Sequence, residues 1–406
     1  MMVLSSLLII TTVAVEFAFN THVAYELAAS QRDRLKAYYL ARSAVQMAKL
    51  EIKLEKDLRA RFGTMLQQMP GNGVSSDPLC KQIPLSTGIL KGLSSGALLG
   101  EGDAEKAGLD EGKQKDLSDA AEDFLNFDGD FEVVCDTEER KINLNIFRNT
   151  LQASQNQSMP GVPMSGTLGA LPQAGGDPTL TAYDSQKELL FSLLSGKDFE
   201  SIFNSKTDDI KKVVNAIADW ADIDDRINEA PGISGGSEES LYNNLPYKPK
   251  NGKYTSVSEL LLIPGVGDDL YKKLAPQVTV YGDNRINICQ ASDEMTKAFI
   301  NRFIRLTPGA APIAEKDDTK WEAVLDAIKL ACNNPNPQPG QIAGVIAANV
   351  GISNSQNLAS QIGSGNRFYR LEAMGLVNES RVKMSLVLDA GAPSPNLWKT
   401  LYFRAE

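Results

Sequence analysis

Hydrophobic and polar positions divide the start of the chain into two regimes of one helix. Residues 1–62 contain neither glycine nor proline, and the first breaker is Gly63. Met1 to Phe19 is an apolar run whose one charged residue is Glu16. From Asn20 to Phe62 the chain is charged and amphipathic, and Tyr38, Ala41, Val45, Ala48 and Ile52 recur at helical spacing as one apolar seam. The pattern predicts a continuous helix on the order of 90 Å long, its first third suited to lipid and the rest to water. The apolar part alone would span ~28 Å, close to the ~30 Å hydrocarbon core of a bilayer. A cleaved secretory signal would show a basic start, a short apolar core and a break, and none of these is present.

Further along, the periodicity changes repeatedly. Between Gly63 and Lys115 the chain is rich in Gly, Ser and Pro and carries a charged stretch from Glu101 to Lys115, which reads as loops with short helical pieces. Phe131 to Cys135 and Lys141 to Asn145 read as a strand pair across the turn Asp136 to Arg140. Asn149 to Gly176 holds no charged residue but several prolines and glycines, the composition of a linker. Helical spacing returns at Ser185–Leu194, Thr207–Trp220 and Val257–Leu262, the last opened by a capping box of Ser256 and Glu259. Ile263-Pro-Gly-Val-Gly267 then joins it to a helix at Asp268–Leu274, a helix-hairpin-helix pattern. Arg285 to Cys289 echoes Lys141 to Asn145 and suggests a weak duplication. Helices follow at Asp293–Arg305, Trp321–Cys332 and Gln341–Val350, with loops at Thr307–Lys320 and Asn333–Gly340. The chain closes on a predicted antiparallel meander of Phe368–Val377, Arg381–Leu388 and Trp398–Phe403, turning at Asn378-Glu379.

Composition narrows the functional classes. The net charge of −10 opposes a general nucleic-acid binder, because phosphate contacts need surplus Lys and Arg. The single histidine, His22, lies on the first helix, which removes histidine catalysis from the rest of the chain. Cys80, Cys135, Cys289 and Cys332 lack metal-type spacing. Sequence leaves open whether they are buried thiols or two bridges in any of three pairings. No zinc motif or P-loop occurs, and no enzyme activity is expected.

Taken in order, these segments resemble the K-type minor pseudopilins of bacterial type II secretion systems. The resemblance rests on Arg32 to Val45 in the first helix, on Ile217-Ala-Asp-Trp-Ala-Asp-Ile-Asp224, on Leu245 to Gly252, on Ser256 to Tyr281, on the paired Ile-Asn segments and on Phe368 to Ala373. It implies an α+β fold in which a long pilin-like N-terminal helix packs on a small antiparallel sheet, with a large inserted α-helical domain of SAM-like, helix-hairpin-helix type. The expected parts are a membrane and spine helix at 1–62, a first part of the head at 63–148, an inserted helical domain at 149–283, a second helical stretch at 284–365 and the closing meander at 366–406. The implied role is structural: a subunit at the tip of a periplasmic pseudopilus, anchored by one pass in the inner membrane. Its implied partners are other minor pseudopilins, the major pseudopilin shaft, the inner-membrane secretion platform and the exported proteins. Basic residues Arg32, Arg34 and Lys36 on the far flank of the apolar run would by themselves point that flank inward, so a basic leader ahead of Met1 is expected. No acid precedes Glu16, which fits an end position, since shaft subunits bury a glutamate near the helix start.

Two candidate sites remain. The densest acidic cluster is Asp219, Asp222, Asp224, Asp225 and Glu229, followed by Glu238 and Glu239 beyond a Gly-rich turn. A hard cation takes roughly six to eight oxygens from flexible loops, and this stretch can supply them, although its spacing is not that of an EF-hand. Read without the resemblance it is a solvated acidic loop; with it, Asp219, Asp222, Asp224, Asp225, Glu238 and Glu239 become candidate calcium ligands. The hairpin at Ile263–Gly267 offers the alternative function, a membrane-anchored DNA-binding protein of a competence system, with Lys272 and Lys273 on phosphates. Asp268 and Asp269 sit directly after the glycines and would repel the backbone of DNA.

Overall fold

The computed structural model describes residues 2–66, 77–94, 127–148, 182–229, 233–307, 313, 317–334, 337–352, 355–363 and 365–406. The charged stretch Glu101 to Lys115 and the linker Asn149 to Gly176 lie outside them, as do parts of both later loops. The described residues fall into two compact units. One comprises Met1–Asp57, Pro78–Asp136 and Tyr369–Glu406, and the other Leu58–Asp77 and Thr137–Phe368.

The first unit is built on α1, Met2–Leu66. Its apolar start is exposed throughout: Val3, Leu7, Ile10, Val13 and Phe17 are each at least 60 % accessible. A large apolar surface left open over this length is what a helix in lipid shows. Lower down, Ala37, Ala41, Ala44, Val45, Ala48 and Ile52 are buried, so the seam read from the sequence faces protein, with Tyr38 only partly covered. The seam is dominated by alanine because the sheet comes very close. A Cβ at Gly375 would lie 2.0 Å from the Ala37 carbonyl oxygen and 2.8 Å from the Ala41 nitrogen. Only glycine fits there.

The five-stranded sheet has the order β1-β2-β7-β8-β9, with β1 at Leu85–Ser86, β2 at Asp130–Thr137, β7 at Phe368–Val377, β8 at Ser380–Asp389 and β9 at Lys399–Ala405. Alternation places Phe131, Val133 and Cys135 of β2 inward, where they join Tyr369, Leu371, Ala373, Met384, Leu386 and Leu388 against α1. The β7–β8 turn has Asn378 at φ 52°, and its side chain donates to Asp33 of α1 at 2.7 Å. Asn accepts the left-handed conformation that the turn requires. Cys80 pairs with Cys135, fixing the short helix Leu79–Gln82 to β2. Leu79 N also donates to Glu55 of α1 at 2.9 Å.

The second unit is mainly helical. Helices at Ala182–Leu194, Thr207–Asp219, Asp293–Arg305, Asp318–Cys332, Pro339–Val350 and Ser355–Gln361 surround one apolar core. Cys289 pairs with Cys332, so both bridges form and the choice left open by sequence is settled. Val257–Leu262 is a 3-10 helix rather than α, and it carries the expected capping box of Ser256 and Glu259. The turn after it has Gly265 at φ 90°, closed off by Asp268–Leu274.

The expected strand pair across 136–140 does not form. β2 lies in the head sheet, whereas β3, Ile142–Asn143, runs parallel to β6, Val278–Thr279, in the other unit. The asparagines explain this placement. Asn143 donates to Gly282 O, Asn145 donates to the carbonyls of Tyr254 and Val280, and Tyr254 N donates back to Asn145. Side-chain amides substitute here for a longer ladder. The echo segment at 285–289 likewise makes a single bridge, Ile286 to Ile362, and no strand.

Candidate metal centre

The acidic cluster is assembled from two short pieces of chain. The helix Thr207–Asp219 buries Ile210, Val213, Val214 and Ile217, which turns Asp219 inward at its last position, 3 % exposed. Asp222, one helical turn further on, is fully buried. The chain then forms a hairpin of β4, Arg226–Glu229, and β5, Ile233–Ser237, and returns at Glu238, the first residue of a 3-10 turn ending at Tyr242. Glu238 is fully buried as well. One carboxylate oxygen from each of Asp219, Asp222 and Glu238 lies within 4.8 Å of the other two.

Three buried carboxylates at this separation repel strongly. Desolvation, followed by the charges of Asp222, Asp219, Asp224 and Asp225, pushes Glu238 up to about 9. Neither Glu238 oxygen has a hydrogen-bond donor. Burying an ion in this way is costly unless it is neutralised or coordinated. Tyr183 supplies part of the compensation, its hydroxyl 2.9 Å from Asp222 Oδ2 and 3.4 Å from Asp219 Oδ1. Lys187 lies nearby, buried over the Tyr183 ring at 4.7 Å. Burial lowers its pKa, while Asp184, Asp219 and Asp222 pull it back up.

The other acids read from the sequence do different work. Asp224 accepts from Arg226 N at 2.9 Å, and Asn251 donates to the Asp224 carbonyl and to the Asp225 carboxylate, both at 2.8 Å. These bonds shape the loop that follows Asp222. Glu239 is a surface residue paired with Lys248 at 2.8 Å, and it does not face the centre. The Glu229 side chain lies outside the described residues. The arrangement that does converge, oxygen-only and buried, suits a hard divalent cation, for which a donorless Glu238 is a ready ligand. Tyr183 and Lys187 were not legible in sequence, because they come from a helix that precedes the acids by dozens of positions and carry no motif.

The neighbouring hairpin turns away from nucleic-acid chemistry. Lys273 donates to the Asp198 carbonyl and to Ser201, while Asp268 and Asp269 are exposed at the start of their helix. Glu259, beyond its capping role, accepts from Lys250, Thr255 and Trp220. Desolvation alone would raise this carboxyl, and those donors bring it down to about 2.

Residues 170–283 match the family described as Type II secretion system (T2SS), protein K, a segment that contains the whole carboxylate cluster. The type II secretion system protein K of Pectobacterium carotovorum subsp. carotovorum is 33 % identical over 75 residues, 18 % of this chain and 21 % of that protein. The chain thus aligns with about a fifth of that relative's length. In three dimensions, a chain of the GspK-GspI-GspJ complex of the enterotoxigenic Escherichia coli type 2 secretion system superposes with a TM-score of 0.50 at 15 % identity, covering 93 % of this chain and 99 % of that one. At that identity the likeness is one of fold. Residues 170–283 are thus similar to the type II secretion system protein K family, and the chain shares the fold of a subunit of that complex.

Proposed function

We propose that this protein is a K-type minor pseudopilin, a structural subunit that helps a type II secretion system export folded proteins. The observation that carries the reading is the continuity of α1. The same helix is wholly exposed and apolar over its first turns and then becomes the spine of a sheet through the Ala37–Ile52 seam. A plain membrane tether needs no such rigid coupling. The family match within the helical insertion agrees with it.

On this reading α1 spans the inner membrane once and the remaining chain lies in the periplasm. Two disulfides support an oxidising compartment. The tip of the pseudopilus is the favoured position, because an insertion running from Thr137 to Phe368 is bulk that a repeating shaft has no need of. The partners would then be other minor pseudopilins, as in the complex whose fold it shares, followed by the shaft and the membrane platform. Asp219, Asp222 and Glu238 would hold calcium, which supplies the positive charge that their burial lacks. Asp224, Asp225 and Asn251 would support them by holding the loop. Catalysis has no part in this role.

The test is deletion in the source bacterium. Loss of exported proteins from the medium, restored by the wild-type chain and accompanied by co-purification of other pseudopilins, supports the proposal. Normal secretion in the deletion strain overturns it. Salt-sensitive retention of DNA by the purified protein would instead favour the competence-type alternative.

A further inference from the structure

Three buried polar side chains, each from a different helix of the second unit, line one cavity of about 10 Å³ without bonding one another. Ser192 lies on the helix Ala182–Leu194, Asn301 on Asp293–Arg305 and Trp321 on Asp318–Cys332. They are 4 %, 6 % and 2 % exposed. Neither Ser192 Oγ, Asn301 Oδ1 nor Trp321 Nε1 has a hydrogen-bond partner among the described residues. The same kinds of group find partners elsewhere. Trp220 Nε1 donates to Glu259 at 3.0 Å, and Trp398 Nε1 donates to the Ala392 carbonyl at 2.8 Å. The Ser195 hydroxyl bonds back to the Phe191 carbonyl at 2.8 Å, whereas that of Ser192 makes no such bond to its own helix. Ala298, one turn before Asn301, adds only a methyl to the cavity wall and so leaves the space open.

We propose that this cavity is the binding site of a single structural water, which accepts from Trp321 Nε1, donates to Asn301 Oδ1, completes its set with Ser192 Oγ and so ties the three helices together. Buried polar groups without partners are costly, and folded proteins pair nearly all of them. The chemistry of the three groups selects the occupant. An indole N–H only donates, so it disfavours a cation. An amide oxygen only accepts, so it disfavours an anion. A hydroxyl does both. A neutral molecule that donates and accepts satisfies all three, and a cavity of about 10 Å³ has room for one water and nothing larger. Roughly three bonds is also the usual number for a buried water. The tie matters most for the helix Asp318–Cys332. Its ion pairs to other helices, Lys197–Asp318 and Lys329–Asp293, are solvent-exposed, and such pairs contribute little. The Cys289–Cys332 bridge fixes its far end. Near its start the largest buried side chain is Trp321, and the water gives that indole a fixed partner.

Nuclear magnetic resonance of the full chain in detergent, isotope-labelled at the tryptophan indole nitrogens, tests the idea. The chain has three tryptophans, and Trp321→Phe identifies the indole signal that belongs to the site by removing it. In the wild type the Trp321 indole proton should show a cross peak to water, with the sign produced by a water that stays bound longer than the molecule takes to tumble. The peak should persist in Ser192→Ala, where Asn301 and Trp321 still hold the water, because two polar partners suffice. It should be lost in Asn301→Leu, which removes the acceptor and fills the space, while an unchanged Trp220 signal shows that the helical unit is folded. Absence of the cross peak in the wild type overturns the proposal, and so does its persistence in Asn301→Leu. Its loss in Ser192→Ala would mean that the signal came through the serine hydroxyl, and that result overturns the proposal as well.

Discussion

Burial decides the chemistry of single residues here more than sequence neighbourhood does. Glu139 is a clear case apart from the carboxylate centre. Desolvation raises it to about 7, against the pull of backbone donors at Phe368 and Arg367. Its native pKa lies above the unfolded value, so between about pH 4.5 and pH 7 the unfolded state loses its proton first. Stability must therefore fall as pH rises through that window. Glu139→Gln keeps an acceptor for the Arg367 and Phe368 amides and has no charge to bury. It should flatten the fall and gain on the order of 1–3 kcal/mol at pH 8, measured by denaturant unfolding at pH 5 and pH 8. A wild-type stability that rises over this range would contradict the assignment. The acidic run shows how much of a site can be read in advance. Asp219 and Asp222 were legible because they end an amphipathic helix whose apolar face sets which side is inward. Glu238 and Glu239 are adjacent and equally acidic, and no sequence signal says that one is buried and the other paired with Lys248.

At the scale of elements, the long-period patterns were the readable ones. The α1 seam, the helix Asp293–Arg305 and the strand Phe368–Val377 occupy the positions their periodicity indicated; the seam and the strand each bury one face, whereas the helix is buried nearly all round. The short segments were misread. Ile142–Asn143 looked like half of a hairpin, yet its partner β6 lies far along the chain and its asparagine bonds are invisible to periodicity. The closeness of α1 to β7 gives the sharpest structural prediction. Gly375→Ala would push a methyl into the Ala37 carbonyl and should cost about 1–3 kcal/mol, the usual range for overpacking. Ile52→Ala, which opens a cavity in the same layer, should cost about 2–5 kcal/mol. Thermal melts of the purified chain would check both, and an unchanged midpoint for Gly375→Ala would mean that helix and strand are not in contact. The bridges are the other restraint at this scale. They close sequence separations of 55 and 43 residues, and each is expected to contribute about 4 kcal/mol, so reduction should lower the melting temperature markedly.

At the scale of the whole molecule, one helix links a lipid-suited surface to a sheet, and a helical insertion with a buried carboxylate cluster interrupts the strands of that sheet in sequence. An assembly subunit needs these features: a fixed anchor, a rigid head and a large surface for neighbours. The proposed role rests in the sequence on the order of these parts, and no single motif carries it. The most direct measurement is secretion by a strain in which the chromosomal copy carries Gly375→Val, a larger wedge at the same contact, with the protein still present in the membrane fraction. If the rigid spine is what the assembly uses, exported proteins should stay in the periplasm and other pseudopilins should no longer co-purify with the variant. Full secretion and normal co-purification by a stably accumulated Gly375→Val protein would contradict the account.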